Sequence, residues 1–236
     1  MWKKVGYMKE RAILIIHGFG GNENEILYLH EHLRQNKMDS FWIQLTGHDG
    51  NKQSFSNATS DQWLADVDRK LEELEQEYTH ITCIGFSMGG LLTIQVSERK
   101  SVDQLILCST PIYLYNANVI LQDIVQGLFY KKQEKLDYYF RSAKTASIRS
   151  CLQFLSLLKK TKKKLKRKTL TLSNKKILIL QNRKDETTYY KSAYYLAKAS
   201  NAQVSLKMYE NGRHQLFLGE NKNLAVEDIK KFILIN

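Results

Sequence analysis

The 236-residue sequence contains a single proline, Pro111, and only three cysteines, Cys83, Cys108 and Cys151. So little proline excludes long extended linkers. An odd number of cysteines with no C-x-x-C spacing excludes a disulfide framework and a thiolate zinc site. All three read as small buried apolar residues. No apolar run approaches the roughly 20 residues of a membrane-spanning helix, and the strongest, Ala12 to Ile16, is far shorter. The basic start Met1-Trp2-Lys3-Lys4 runs into Gly6 to Arg11 rather than a leader core, so the cytoplasm is the expected compartment. There is no G-x-x-x-x-G-K-[ST] phosphate loop, and the glycines at 18, 20 and 21 do not fit a dinucleotide fingerprint. His30 and His32 fall two apart on a helical pattern and face different ways. No cofactor and no metal are expected.

Hydrophobic residues make up 43% of the chain and charged residues 25%, the balance of a globular domain. The net charge is +12, but it is unevenly placed. From Lys131 to Lys176 there are sixteen Lys/Arg against Glu134 and Asp137, so the rest of the chain is slightly acidic. Any account of the basicity must therefore be local.

Short apolar runs alternate with amphipathic ones. Ala12–Ile16, Ser40–Leu45, Ile81–Gly85, Gln104–Cys108, Ile177–Gln181 and Gln203–Tyr209 read as strands. Four of the six are almost continuously apolar, as parallel strands covered on both faces require. Between them, Asn24–Gln35, Ser60–Tyr78, Gly89–Arg99, Tyr189–Ala199 and Leu224–Leu234 carry helical spacing, and Ser60 reads as a cap. The alternation predicts an α/β fold with a doubly wound, mostly parallel sheet. One interval breaks it. From Ile112 to about Ser173 no strand is legible, so the expectation is a core of residues 1–111 and 174–236 with a helical cap inserted at 112–173.

Gly85-Phe86-Ser87-Met88-Gly89 matches the G-x-S-x-G nucleophile elbow, in which a sharp strand-to-helix turn lifts a serine Oγ clear of the sheet. A strand pattern precedes it and a helical one follows. A serine of ordinary pKa needs a base, and the base needs an orienting carboxylate. His214 is the one histidine after the late strands, and Asp185 follows the Ile177–Gln181 strand in a polar loop, with Glu186 as the competing neighbour. Two backbone N–H groups should receive the oxyanion: that of Met88, at the helix start, and that of Phe19, in the loop His17-Gly18-Phe19-Gly20-Gly21. His17 reads as a prop for this loop rather than a proton carrier.

In these residues the chain resembles the bacterial carboxylesterase and monoacylglycerol lipase branch of the α/β-hydrolase superfamily. The matching stretches are Ile15 to Asn22, Gly47-His48, Gly85 to Gly90, Arg183 to Glu186 and Gly212-Arg213-His214, in the family's order across almost the whole chain. The resemblance implies a serine hydrolase of short- to medium-chain acyl esters or monoglycerides, with Ser87, Asp185 and His214 as triad and Phe19 and Met88 as oxyanion donors. Departures lie where the family has a valine and a proline after the acid, here Thr187-Thr188-Tyr189, and at Gly47-His48-Asp49-Gly50 and Arg213. The same carbonyl chemistry admits acyl thioesters of coenzyme A or a carrier protein. A non-catalytic lipid- or nucleic-acid-binding module on this scaffold has no use for all three triad residues.

The insert carries two amphipathic patterns, one with Leu121 and Ile124, the other with Ile148, Leu152, Leu155 and Leu158. Leu121, Ile124, Leu152 and Leu155 are expected to line the acyl pocket beside Phe19 and Met88. Lys159 to Lys168 then holds eight Lys/Arg in ten residues. A solvated surface accounts for such a run, and weak contact with anionic membranes is its livelier reading. Nucleic acid fits less well, because no aromatic residue interleaves the lysines.

Overall fold

The computed structural model describes residues 8–115, 147–167, 175–200 and 203–234. Six strands form one sheet: β1 (Lys9–Ile16), β2 (Ser40–Ile43), β3 (Tyr78–Phe86), β4 (Val102–Cys108), β5 (Lys176–Asn182) and β6 (Gln203–Tyr209). Their order is β2-β1-β3-β4-β5-β6, and every pairing is parallel. The helices are α1 (Leu27–Gln35), α2 (Lys52–Asn57), α3 (Ser60–Glu75), α4 (Met88–Val96), α5 (Ile148–Lys166), α6 (Lys191–Ala199) and α7 (Lys222–Leu234).

Alternation along each strand divides the core into two layers. Leu14 and Ile16 of β1 face Trp63, Val67 and Leu71 of α3 and Leu91 and Leu92 of α4. Ile13 and Ile15 face Leu29 and Leu33 of α1 and Val226 and Ile229 of α7. The outer strand β6 has no fully buried residue, as an edge strand allows. Arg11 of β1 reaches across β3 to grip Asp103 of β4 at 2.6 and 2.8 Å, at the strands' amino ends.

All six expected strands form. The helix expected over 60–78 stops at Glu75, because Tyr78 already opens β3, and its cap is Thr59 rather than Ser60. Thr59 Oγ1 accepts from the Gln62 N–H at 3.3 Å while Gln62 Oε1 accepts from the Thr59 N–H at 2.9 Å, a reciprocal capping box. Helix α2 was not legible. Its six residues contain one buried apolar side chain, Phe55, too little for a periodic signal.

Helix α5 corrects the picture of the insert. Its buried stripe is Ser150, Leu157, Leu158, Thr161 and Leu165, so of the leucine pattern read from sequence Leu158 alone faces inward. Ile148, Leu152 and Leu155 are 83%, 59% and 46% exposed, and Cys151, expected to be buried, is exposed. Polar groups set this rotation. Thr161 Oγ1 accepts from Gln95 Nε2 at 2.8 Å and donates to the Leu157 carbonyl at 3.0 Å, so a threonine is buried at no cost in unmade hydrogen bonds. Lys164 donates to the Gln95 carbonyl at 2.7 Å and lies 3.6 Å from Glu98. The basic half of α5 is therefore fixed beside the carboxyl end of α4, and the other half reaches Phe19 through Phe154. Leu121 and Ile124 lie outside the described residues. No described helix is long and apolar enough to cross a membrane.

Helix α5 is in these terms a third layer over α4 rather than a detachable flap. Leu157→Ala, at a site 1% exposed, is expected to cost about 2–5 kcal/mol in chemical denaturation, within a single transition. A separate early transition with the main midpoint unmoved would contradict this packing.

Candidate active site

The strand order places the reacting groups. The chain leaves β1 for β2 on one side and returns to β3 on the other, so β1 and β3 are neighbours whose following loops diverge. Ligands in open α/β sheets bind at this reversal, beyond the carboxyl ends of the strands. Ile16 pairs with Gly85, which brings the loop that starts at His17 beside Ser87.

Ser87 sits between β3 and α4 with φ 52° and ψ −116°. A left-handed non-glycine residue costs of order 1–3 kcal/mol and persists only where its surroundings enforce it. Here the enforcing contacts are between backbones. A Cβ on Gly85 would lie 2.3 Å from the Gly89 carbonyl oxygen, and one on Gly89 would lie 2.2 Å from that of Ile16. Both positions of the motif are glycine because strand, turn and helix pass at main-chain contact.

His214 Nε2 lies 3.0 Å from Ser87 Oγ, and its Nδ1 lies 3.0 Å from each Asp185 oxygen. All three residues are buried or nearly so, Ser87 and His214 at 7% and Asp185 at 0% exposure. Asp185 is held by more than the histidine. Its Oδ1 accepts from the N–H groups of Thr187 (2.9 Å) and Thr188 (2.8 Å), and its Oδ2 from Gln181 Nε2 (3.0 Å). These three residues were missed from sequence. The signal was the turn-forming habit of aspartate, which accepts from N–H groups two and three residues on. Glu186 does not touch the imidazole. It is buried, and its Oε2 accepts from the His214 N–H at 3.2 Å and pairs with Arg213 Nε at 3.1 Å.

Burial pulls the His214 pKa down, but the charge and hydrogen bond of Asp185, with Glu186 and Glu25 behind, outweigh it and leave it above the ordinary histidine value. His17 behaves oppositely. Its Nε2 accepts from the Leu45 N–H at 3.2 Å and its Nδ1 donates to the Gly18 carbonyl at 2.9 Å, which fixes a neutral tautomer. Burial and the adjacent His48 lower its pKa to about 4. It props the loop.

Among the described residues, neither the Phe19 N–H nor the Met88 N–H donates a hydrogen bond. Met88 is the first residue of α4, where the helix dipole presents partial positive charge. The Phe19 ring packs on Phe55 (4.9 Å between centroids), Phe154 (5.2 Å) and Trp63 (6.1 Å). Phe154 is the α5 ring that meets Phe19. A cavity of about 150 Å³ opens beside the same loop, lined by Gly20, Asn22, His48, Asn51, Lys52 and Phe55.

Residues 8–222 match the model of the serine aminopeptidase S33 family, a hydrolase family. The chain belongs to this family. It is an α/β-hydrolase of the esterase and lipase type. Over 232 residues the hydrolase is 20% identical to a carboxylesterase of Bacillus subtilis (strain 168), an alignment covering 95% of this chain and 92% of the other. Its fold is similar to that of the metagenome-derived lipolytic enzymes LipS and LipT, with a TM-score of 0.76, 17% identity and coverage of 96% and 94%. It is also similar to a soluble variant of the monoglyceride lipase of Saccharomyces cerevisiae, with a TM-score of 0.70, 17% identity and coverage of 98% and 88%.

The backbone contact at the elbow yields a direct test. Gly89→Ala is expected to push α4 off the Ile16 carbonyl, costing about 1–3 kcal/mol of stability and at least about tenfold in turnover. A variant with wild-type melting temperature and turnover would show that the approach is not needed.

Proposed function

We propose that the protein hydrolyses carboxylic esters of short- to medium-chain acids or monoacylglycerols through an acyl-enzyme intermediate. The observation that carries this reading is the continuous chain of hydrogen bonds from Asp185 through His214 to Ser87, ending beside two uncommitted N–H groups. Ser87 Oγ attacks the ester carbonyl carbon while His214 Nε2 takes its proton. The charge that develops on the carbonyl oxygen meets the N–H groups of Phe19 and Met88. Collapse expels the alcohol, which receives the proton from His214, and a water activated by the same base then releases the acid. Asp185 fixes the imidazole and stabilises its charged form without accepting the proton itself.

The family's description names peptide cleavage, and a serine triad serves esters and amides alike. Similarity to a carboxylesterase over more than nine-tenths of both chains supports the ester. The partly exposed rings of Phe19 and Phe154 offer an apolar surface that suits an acyl chain. The division into a hydrolase core and an insert at 112–173 remains part of this proposal, with α5 as the described part of that insert.

Ser87→Ala and His214→Ala are each expected to lower ester kcat by about 10⁴-fold or more, with Asp185→Asn costing less and Glu186→Gln leaving most activity. Turnover by Ser87→Ala above a tenth of wild type would remove the nucleophile assignment. Ester turnover should also exceed turnover of the matching aminoacyl amide.

The pH dependence follows from His214. Its charged form cannot accept the serine proton, and its pKa is raised, so kcat/KM should fall on acidification with a midpoint above about 6.5. A profile flat to pH 5, with chemistry limiting the rate, would contradict the base.

A further inference from the structure

Glu25 is a carboxylate that the triad does not use. It ends a single 3-10 turn, Glu23–Glu25, capped by Asn22 and anchored by the fully buried Ile26. Its side chain turns back under the loop after β1. Oε2 accepts from the Gly18 N–H at 3.0 Å, and Oε1 accepts from Gln215 Nε2 at 2.8 Å. Space for it exists because residue 21 is glycine, since a Cβ there would lie 2.0 Å from Oε2. Gly18 is equally confined, as its own Cβ would stand 3.0 Å from Oε2 and 3.3 Å from Ser87 Cβ.

We infer that Glu25 is a positioning residue for hydrolysis, tying the His17–Gly18 peptide, one ahead of the Phe19 N–H, to the loop that carries His214. The inference rests on the serine-esterase reading above. One oxygen fixes the Gly18 N–H and His17 Nδ1 donates to the Gly18 carbonyl at 2.9 Å, so Gly18 is held on both sides and the direction of the Phe19 N–H is set. The other oxygen holds the residue after His214. Oxyanion donor and general base belong to distant parts of the chain, and this carboxylate spans them in two hydrogen bonds.

Charge gives the device a signature beyond mechanical support. The groups facing His214 are Asp185 and Glu186 from the loop after β5, Ser87 from the elbow, Glu25 from the loop after β1, and Arg213 beside it, paired with Glu186. Burial is the largest influence and holds the Glu25 pKa above the usual carboxylate range, while the Gln215 and Gly18 hydrogen bonds and a charged His214 act the other way. Its negative charge in turn favours imidazolium, so removing it must lower the His214 pKa and move the acid limb of kcat/KM to lower pH.

The test compares wild type, Glu25→Ala, Glu25→Gln and Ser87→Ala on one soluble short-chain ester across pH, with melting temperature recorded for each. Losing an oxyanion donor outright costs about 10²–10³-fold, so a misaimed one should lower kcat about tenfold in Glu25→Ala, with KM within about twofold. Glu25→Gln keeps an oxygen for the Gly18 N–H and should recover at least about half of the logarithmic loss. Both variants should show the acid limb at lower pH. Wild-type kcat with an unmoved limb in Glu25→Ala overturns the inference. So does equal loss in both variants with an unmoved limb, the mark of simple structural damage. If Glu25→Ala does not fold, the limb of Glu25→Gln decides alone. An inactive Ser87→Ala beside an unaffected Glu25→Ala removes only this inference, whereas an active Ser87→Ala removes the esterase reading with it.

Discussion

The contact of Gly89 with the carbonyl oxygen of Ile16 is the constraint on which the rest depends. It joins the first turn of α4 to the end of β1 without intervening side chains. From that contact follow the left-handed backbone of Ser87, the exposure of its Oγ towards His214, and the proximity of the loop that bears Phe19. Burial of every residue from Met88 to Ile94 serves the same end, because a helix that cannot shift holds the strained turn in place. The strain at one residue is offset by a large apolar layer around it.

The side chains of the proposed triad are placed by two different kinds of force. Ser87 is fixed by steric contact, whereas Asp185 is fixed by a ring of donors from Gln181, Thr187 and Thr188. A buried carboxylate needs such donors to remain satisfied, and they leave it one direction in which to meet an imidazole. Glu186 is engaged differently, at Oε2 by Arg213 and the His214 main chain while its Oε1 has no partner among the described residues, and that separation lets two adjacent acids take different roles.

Much of this was legible in the residues, for identifiable reasons. Parallel strands announce themselves by continuous apolar runs, and Ile81–Gly85 or Ile177–Gln181 admit little else. The elbow is legible because its glycines are demanded by main-chain contact, a requirement no neighbouring side chain can meet instead. The orientation of α5 was not legible. Leucine spacing favoured the 148, 152, 155 and 158 face, of which Leu158 alone is buried, whereas hydrogen bonds from Gln95 to Thr161 and from Lys164 to the α4 carboxyl end accompany Ser150, Thr161 and Leu165 inward. A buried threonine gives no signal in an apolar count. Glu25 was missed for a related reason. Its partners, Gly18 and Gln215, are 7 and 190 residues away, and nothing local marks a half-buried glutamate as structural.

The three acids around His214 also bear on how a turnover ends. In the proposed ester hydrolysis, turnover leaves a newly ionised carboxylic acid where the acyl group stood, next to a base that has returned to its neutral form. Asp185, Glu186 and Glu25 lie close behind that base, and the neighbouring guanidinium of Arg213 is engaged by Glu186. In a poorly hydrated site such charges repel an anion more strongly than water would allow. On that proposed cycle, the arrangement that helps the imidazole hold its proton in the first half would expel the acid product in the second, favouring release over resynthesis of the ester.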